Sequence, residues 1–369
     1  MRRVRSAPIG TRENKLFALT KGIALKLVSA AAISLAVATA FACSSSKTSD
    51  NADSGPPPVA AGTTLSMTFG PLTMQPGEEH TKCMVKRLGN DRALHVGTIH
   101  DVLSQGSHHM IVYKSAETEE RTTPFDCTPF TDTLDPAKGS TLVVTQKHDD
   151  TLQLPQGVAF ALEANQMIRL EVHYINTTTA PLDITATTTL VTMDETVFKD
   201  EADFLFIGSP DITVPPNSKA TLGPVYFPLP PEYSQVKFFA ITGHEHQYGT
   251  NVTVNVASSK TDVGKSVYDV PGWLWSEPAT VVADPPFTIP QGGGFRFTCE
   301  WNNTSASTLK FGESANNEMC FFWAYYYPSQ GSKVCMHTDR FMNGIDLCCP
   351  GPSLYCAIIL DRLRDGGLQ

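Results

Sequence analysis

From about residue 64 onward, apolar and polar residues alternate in short runs along this chain. HHMIVY (108–113), STLVVTQ (140–146), MIRLEVHYI (167–175), LDITATTTLVT (182–192), VKFFAITG (236–243), TNVTVNVA (250–257), GFRFTCEW (294–301) and CFFWAYYY (320–327) are rich in Val, Ile, Thr and aromatics. Runs of this length and composition, bounded by turn residues, predict strands. Helical periodicity is not sustained anywhere beyond the N-terminal apolar run, so the expected fold is all-β. PDITVPPNS (210–218), FPLPPEY (227–233) and ADPPFTIPQGGG (283–294) read as loops that join strands. The length suits two domains of roughly 130–150 residues each. The expected architecture is two antiparallel, jelly-roll-like β-sandwiches at 64–193 and 194–330, with the seam around Met193 to Asp203. A cysteine-rich extension, 331–369, follows.

The first 42 residues change the picture of where the chain works. Arg2, Arg3, Arg5, Arg12, Lys15, Lys21 and Lys26 lead into an apolar run from Leu27 to Ala42, the pattern of a cleaved export signal. At 16 residues the run falls short of the roughly 20 needed to span a bilayer. Ala40-Phe41-Ala42-Cys43 is a loose version of the bacterial lipoprotein box. Cys43 is thus the expected lipidated first residue of the mature chain; the plainer alternative is ordinary cleavage at Ala42. Residues 43–63 have almost nothing to bury and suit a flexible tether. The expectation is an exported protein of the cell envelope, an outer-membrane or surface lipoprotein, touching membrane through that anchor and monomeric in its folded part.

Residues 1–43 hold seven Lys or Arg and one Glu; the remainder carries 21 basic and 36 acidic side chains, a net charge of −15. Without a basic stripe such a surface repels nucleic acid. Eight cysteines follow Cys43, and in an exported chain an even number reads as a disulfide framework. Spacing leaves the pairing open among 105 arrangements. Cys348 and Cys349 are adjacent, and a bond between neighbours is strained, so each is expected to find a distant partner such as Cys335 or Cys356.

The candidate chemistry lies in five histidines and a methionine. His244-Glu245-His246 sets two imidazoles two residues apart, on one face if the segment is a strand. His173 shares its face of 168–173 with Arg169 and Glu171, opposite Ile168, Leu170 and Val172. His108 and His109 would point to opposite faces of a regular strand, so both can serve one ion only at an irregularity, which Gln105-Gly106-Ser107 supplies. Met319 would begin the aromatic strand, with Phe321, Trp323 and Tyr325 on its face. Singly, each has a bland reading: surface histidines, a chance HxH, a packed methionine. Together they make two sets of three. Three imidazoles suit zinc, copper, iron or nickel, whereas two histidines with a thioether favour a soft ion such as Cu(I). No GxSxG, HExxH or phosphate-binding glycine loop competes.

Taken in order, HHM, then HY after an alternating strand, then HxH, then EMC before an aromatic strand, the chain resembles the copper type II ascorbate-dependent monooxygenases over roughly Leu65 to Pro328. Further matches lie in LPQGVAF (154–160) and the Pro215-Pro216 turn. The resemblance implies two coppers, one per sandwich, separated by a solvent-filled cleft. His108, His109 and His173 would hold the electron-donating copper, and His244, His246 and Met319 the catalytic, oxygen-binding one. It also implies the bridges Cys83–Cys127 and Cys299–Cys320, the second bracing Met319 through its neighbour. The implied reaction hydroxylates an activated C–H of a small organic substrate with O2 and a reductant such as ascorbate. The peptide-amidating branch has an arginine where this chain has Thr242, and an asparagine and a tyrosine where it has Phe321 and Trp323. These departures argue against a glycine-extended peptide. Thr242, Phe321, Trp323 and Tyr325 are instead expected to line an apolar pocket. The rival reading is a surface lipoprotein that binds or handles copper without turnover.

Overall fold

The computed structural model describes residues 62–127, 129–130, 139–312, 314–341, 344–351 and 355–356. The expected signal segment, Cys43 and nearly all of the tether lie outside these residues. The first block of strands is β1 (Thr64–Met74), β2 (Glu79–Arg87), β3 (Leu94–Leu103), β4 (Ser107–Ser115), β5 (Arg121–Asp126) and β6 (Gly139–Thr145). It continues with β7 (Asp149–Gln153), β8 (Val158–Leu162), β9 (Met167–Ile175), β10 (Leu182–Thr192) and β11 (Asp200–Glu201). One sheet runs β1-β10-β3-β8-β11, with β7 also on β3, and the other runs β5-β2-β9-β4-β6. The two sheets pack together, β10 against β4 and β1 against β5.

Alternation decides which faces are buried. In β10 every second residue from Ile184 to Thr192 is buried, as expected of a strand with one face on a core. Strand β9 departs from this: all residues from Met167 to Tyr174 are buried. Ile168, Leu170 and Val172 face the core as expected, but Arg169, Glu171 and His173 are covered as well. Burial of that polar face is compensated by pairing: Arg169 meets Glu117, and Glu171 accepts from the Tyr113 hydroxyl and from Phe130 N.

The second block holds β12 (Asp203–Gly208), β13 (Thr213–Val214), β14 (Ser218–Pro228), β15 (Lys237–His244), β16 (Gly249–Ala257) and β17 (Lys265–Asp269). After these come β18 (Val281–Phe287), β19 (Gly294–Asn303), β20 (Leu309–Lys310), β21 (Phe321–Tyr327), β22 (Lys333–Thr338) and β23 (Ile345–Cys349). Its main sheet runs β18-β15-β21-β12-β22-β23 and faces a sheet of order β14-β19-β16-β17. Phe322 fills the space between them, its ring 5.1 Å from Phe295 and 5.5 Å from Phe297. The cysteine-rich extension supplies β22 and β23, which add to the edge of the main sheet through parallel pairing of β22 with β12.

The all-β expectation holds, and all eight sequence-predicted strands are present. All three expected loops are partly strand, the first of them through β13 (Thr213–Val214). Ala283–Phe287 belongs to β18, and Phe227-Pro228 closes β14. Both lie at sheet edges, where a missing N–H leaves no ladder bond unmade on the outer side. Strands β1 and β14, also edges, shift register around Gly70-Pro71 and Gly223-Pro224. Proline here marks an edge strand or a bulge, not a break.

The disulfides Cys83–Cys127 and Cys299–Cys320 are both formed. Cys299 lies in β19 and Cys320 just before β21, so the second bridge ties the two sheets of the second block. Cys348 pairs with Cys335 and Cys349 with Cys356, each with a distant partner.

Candidate metal centre

Backbone irregularity brings the first three histidines together. Gly106 adopts φ 89°, a left-handed conformation that glycine enters without strain. The β4–β9 register then shifts between Ser107 and His109, leaving His109 opposite His173. Because His108 falls in the shift, its ring stays on the side of its neighbour. The His108 ring lies 5.3 Å from both His109 and His173, and His109 lies 5.1 Å from His173.

The HxH pair forms differently from expectation. Strand β15 ends at His244, and His246 lies in the turn that follows, where its carbonyl accepts from Gly249 N. The two rings are still 5.2 Å apart and nearly perpendicular, at 85°. Met319 does not begin the aromatic strand, which starts at Phe321. It is buried in the segment leading in. His244 pairs with Phe321 in antiparallel register, and continuing that register by two residues sets Met319 opposite His246.

A buried carboxylate holds this arrangement. Glu318 Oε2 accepts from His246 N and from Trp301 Nε1, each at 2.9 Å, and Oε1 accepts from Tyr248 N at 2.9 Å. Burial pushes its carboxyl up to about 7 against the pull of these donors. Burial and the neighbouring Glu318 carboxylate raise Glu245, between the two histidines, well above the ordinary range.

Ring orientation follows from the acceptors around each imidazole. His246 Nδ1 donates to Asn317 O at 3.3 Å and His244 Nδ1 to Gln146 Oε1 at 3.2 Å. Both Nε2 atoms then carry the lone pair. His173 Nε2 donates to Glu79 Oε1 at 3.0 Å, and that hydrogen bond, with support from Ala315 N and Ser314, holds the Glu79 carboxyl down to about 2. His108 Nε2, His109 Nδ1 and His244 Nε2 are buried without a hydrogen-bond partner. Burial lowers His108, His109 and His244 well below the usual imidazole range and His246 to about 4. Neutral imidazoles with buried, unpaired nitrogens have the donor chemistry of a borderline-to-soft metal site, although the nitrogens of His108, His109 and His173 do not all lie within 4.8 Å of one another.

The two ring sets are not parted by a solvent-filled cleft. His108 is 6.4 Å from His246, and all five imidazoles are at least nine-tenths buried. Two first-block side chains, Gln146 and Glu79, bond to the second block, as does Val144 N, which donates to the Tyr325 hydroxyl at 3.2 Å. Phe130 fills the space between, 5.4 Å from His109 and 6.4 Å from His244. Trp275, from the loop between β17 and β18, lies 5.1 Å from His108.

The expected pocket residues form a packed wall. Trp323 lies 5.8 Å from His244, and Phe206 stacks on Phe321 at 4.8 Å. Thr242 pairs with Trp323 across the strands, and its hydroxyl meets that of Thr280 at 2.8 Å. Phe321, Trp323, Tyr325 and Thr242 are all buried, Tyr325 pointing toward β6. Glu79, Gln146, Glu318 and Phe130 escaped the sequence reading. Glu318 had a local signal, an acidic residue directly before the apolar run that begins at Met319; the others had none.

Residues 201–342 match the C-terminal domain of the copper type II ascorbate-dependent monooxygenases. The matched span contains His244, His246 and Met319; His108, His109 and His173 lie before it. None of the curated proteins compared with the chain matches it. Among solved structures, the major capsid protein P2 of bacteriophage PM2 aligns at 10% identity and TM-score 0.30, covering 74% of this chain and 96% of that one. The STIV MCP aligns at 8% identity and TM-score 0.26, covering 72% and 91%. Overlaps this loose carry no argument about function.

Proposed function

Because residues 201–342 match the C-terminal domain of the copper type II ascorbate-dependent monooxygenases, we propose that the chain hydroxylates an activated C–H bond of a small organic substrate, using O2 and a reductant such as ascorbate. The observation that carries this reading is the pair of ring sets: three imidazoles from β4 and β9, and two at and just after the end of β15, with Met319 buried in the segment leading into β21, the strand that pairs with β15. His108, His109 and His173 would hold one copper, and His244, His246 and Met319 the other. Copper bound there supplies one-electron transfer and activation of dioxygen.

The chain's own residues prepare the site. Asn317 and Gln146 fix the two HxH rings by accepting from Nδ1, an arrangement that typically orients metal-ligating histidines. Burial favours the neutral form of His108, His109, His244 and His246, the form that ligates. Phe130, Phe206, Phe321 and Trp323 exclude water and favour an apolar or aromatic carbon centre. Thr242, in place of an arginine, offers no cation for a peptide carboxylate. We further propose, from residues 1–63, an exported envelope lipoprotein anchored at Cys43 and working as a monomer.

The test uses copper-loaded protein, ascorbate, ¹⁸O2 and a panel of benzylic compounds. Native protein should incorporate label into a product, and Met319→Ile should fold, keep its disulfides and lose incorporation. Equal incorporation by Met319→Ile overturns the assignment.

A further inference from the structure

Glu79 stands at the start of β2, in the first block, yet its carboxylate bonds both to a histidine of one ligand set and to the segment that leads to Met319 of the other. Oε1 accepts from His173 Nε2 at 3.0 Å and from Ala315 N at 3.0 Å, and Oε2 lies 3.3 Å from the Ser314 hydroxyl. Ser314 and Ala315 open the second-block segment that carries Asn317, Glu318 and Met319. Within that segment Asn317 O accepts from His246 Nδ1, and Glu318 Oε2 accepts from His246 N.

We infer that Glu79 is a positioning residue that couples the two ligand sets: it fixes the tautomer of His173 and, through the same oxygen, anchors the segment that carries Met319. The inference rests on the copper reading above and names a residue through which the two sites act on each other. With Nε2 committed to Glu79, Nδ1 is the His173 nitrogen that can ligate. A carboxylate behind a metal-bound histidine orients the ring and raises its basicity, and removing such a partner typically costs about 10–100-fold in metal affinity.

The plain alternative is a surface ion pair of little consequence. Glu79 is 24% exposed at its side chain and lines a surface depression of about 240 Å³ with His80, Thr81, Pro129, His173 and Ser314. Two features separate it from such a pair. Its histidine partner is only 5% exposed, and the carboxylate also takes a backbone N–H from the other block, which an incidental contact has no reason to do.

The test compares the native full-length chain with Glu79→Gln, which keeps the volume, and Glu79→Ala. In metal-free protein, imidazole ¹⁵N shifts should report a single Nε2–H tautomer for His173 in the native chain. Glu79→Ala should give a mixture, with Glu79→Gln between the two. In anaerobic Cu(I) competition with a chromophoric chelator, Glu79→Ala should bind about 10–100-fold more weakly at the three-histidine site. X-ray absorption should also show a weakened copper–thioether shell, although Met319 is intact. A His173 tautomer and both copper affinities unchanged in Glu79→Ala would overturn the inference and leave the proposed function standing. A tautomer shift in a chain whose native form takes up no copper would overturn the functional reading and the coupling of two copper sites, leaving Glu79 as the group that orients His173.

Discussion

Replacing Glu318 by glutamine removes a charge while keeping the shape of the side chain. The structure predicts a loss of stability concentrated at the HxH turn. Three N–H donors converge on the carboxylate, two on Oε2 and one on Oε1. An amide oxygen placed at Oε2 can still accept from His246 N and Trp301 Nε1, but as a neutral acceptor. The amide nitrogen then faces Tyr248 N–H, donor against donor. A buried donor left unmade costs about 1–3 kcal/mol, and the two retained bonds weaken by roughly 1 kcal/mol each. Relief from burying a carboxylate, raised from 4.5 to about 7, offsets about 3 kcal/mol of this. The net expectation is about 1 kcal/mol at pH 8, where the native carboxylate is ionised. Urea unfolding of metal-free protein measures it as a lower midpoint at unchanged slope. A shift worth less than about 0.5 kcal/mol, the range of ordinary surface substitutions, would refute the view of Glu318 as the clamp on this turn.

Acid should destabilise the metal-free chain well above the carboxylate range. His108, His109, His244 and His246 each bind a proton more weakly when folded, so this stability is fully present above pH 6.5 and is lost as pH falls toward the folded value. For His246, a drop from 6.5 to about 4 corresponds to about 3 kcal/mol, and His108, His109 and His244 add in the same direction. A thermal midpoint that stays flat from pH 6.5 to 4 would contradict the buried, neutral cluster. Phe130→Ala should open the space between His109 and His244 and speed the removal of bound copper by a chelator. It should also destabilise by about 3–5 kcal/mol, as large-to-small core changes at Phe do; an unchanged extraction rate would show that the Phe130 ring does not guard the site.

Eight of the 23 strands among the described residues could be read from the sequence, because an alternating or β-rich run extends over six or more residues in each, as in LDITATTTLVT and MIRLEVHYI. The reading failed where proline was taken to end a strand, since β14 and β18 are edges that tolerate it. It also misjudged the covering of β9: alternation marks His173, Glu171 and Arg169 as one face but carries no sign that a second block will bury it. The six candidate ligands were visible as motifs with local spacing. What holds them was not, because the partners are far apart in the chain. Glu79 is 94 residues from His173, Gln146 is 98 from His244 and Glu318 is 72 from His246. Closure of the two ring sets to 6.4 Å depends on these long-range bonds and on Phe130, so the family resemblance alone suggested an open cleft.

Two copper sites built from two ligand sets can be counted by copper stoichiometry. The native chain, His108→Ala and His244→Ala would each be reduced anaerobically, loaded with copper and stripped of loose metal. Two coppers are expected per native chain and one in each variant, with the thioether signature lost only in His244→Ala. One copper or none in the native chain, or both coppers lost together in a variant that remains folded, would contradict the assignment of two sites.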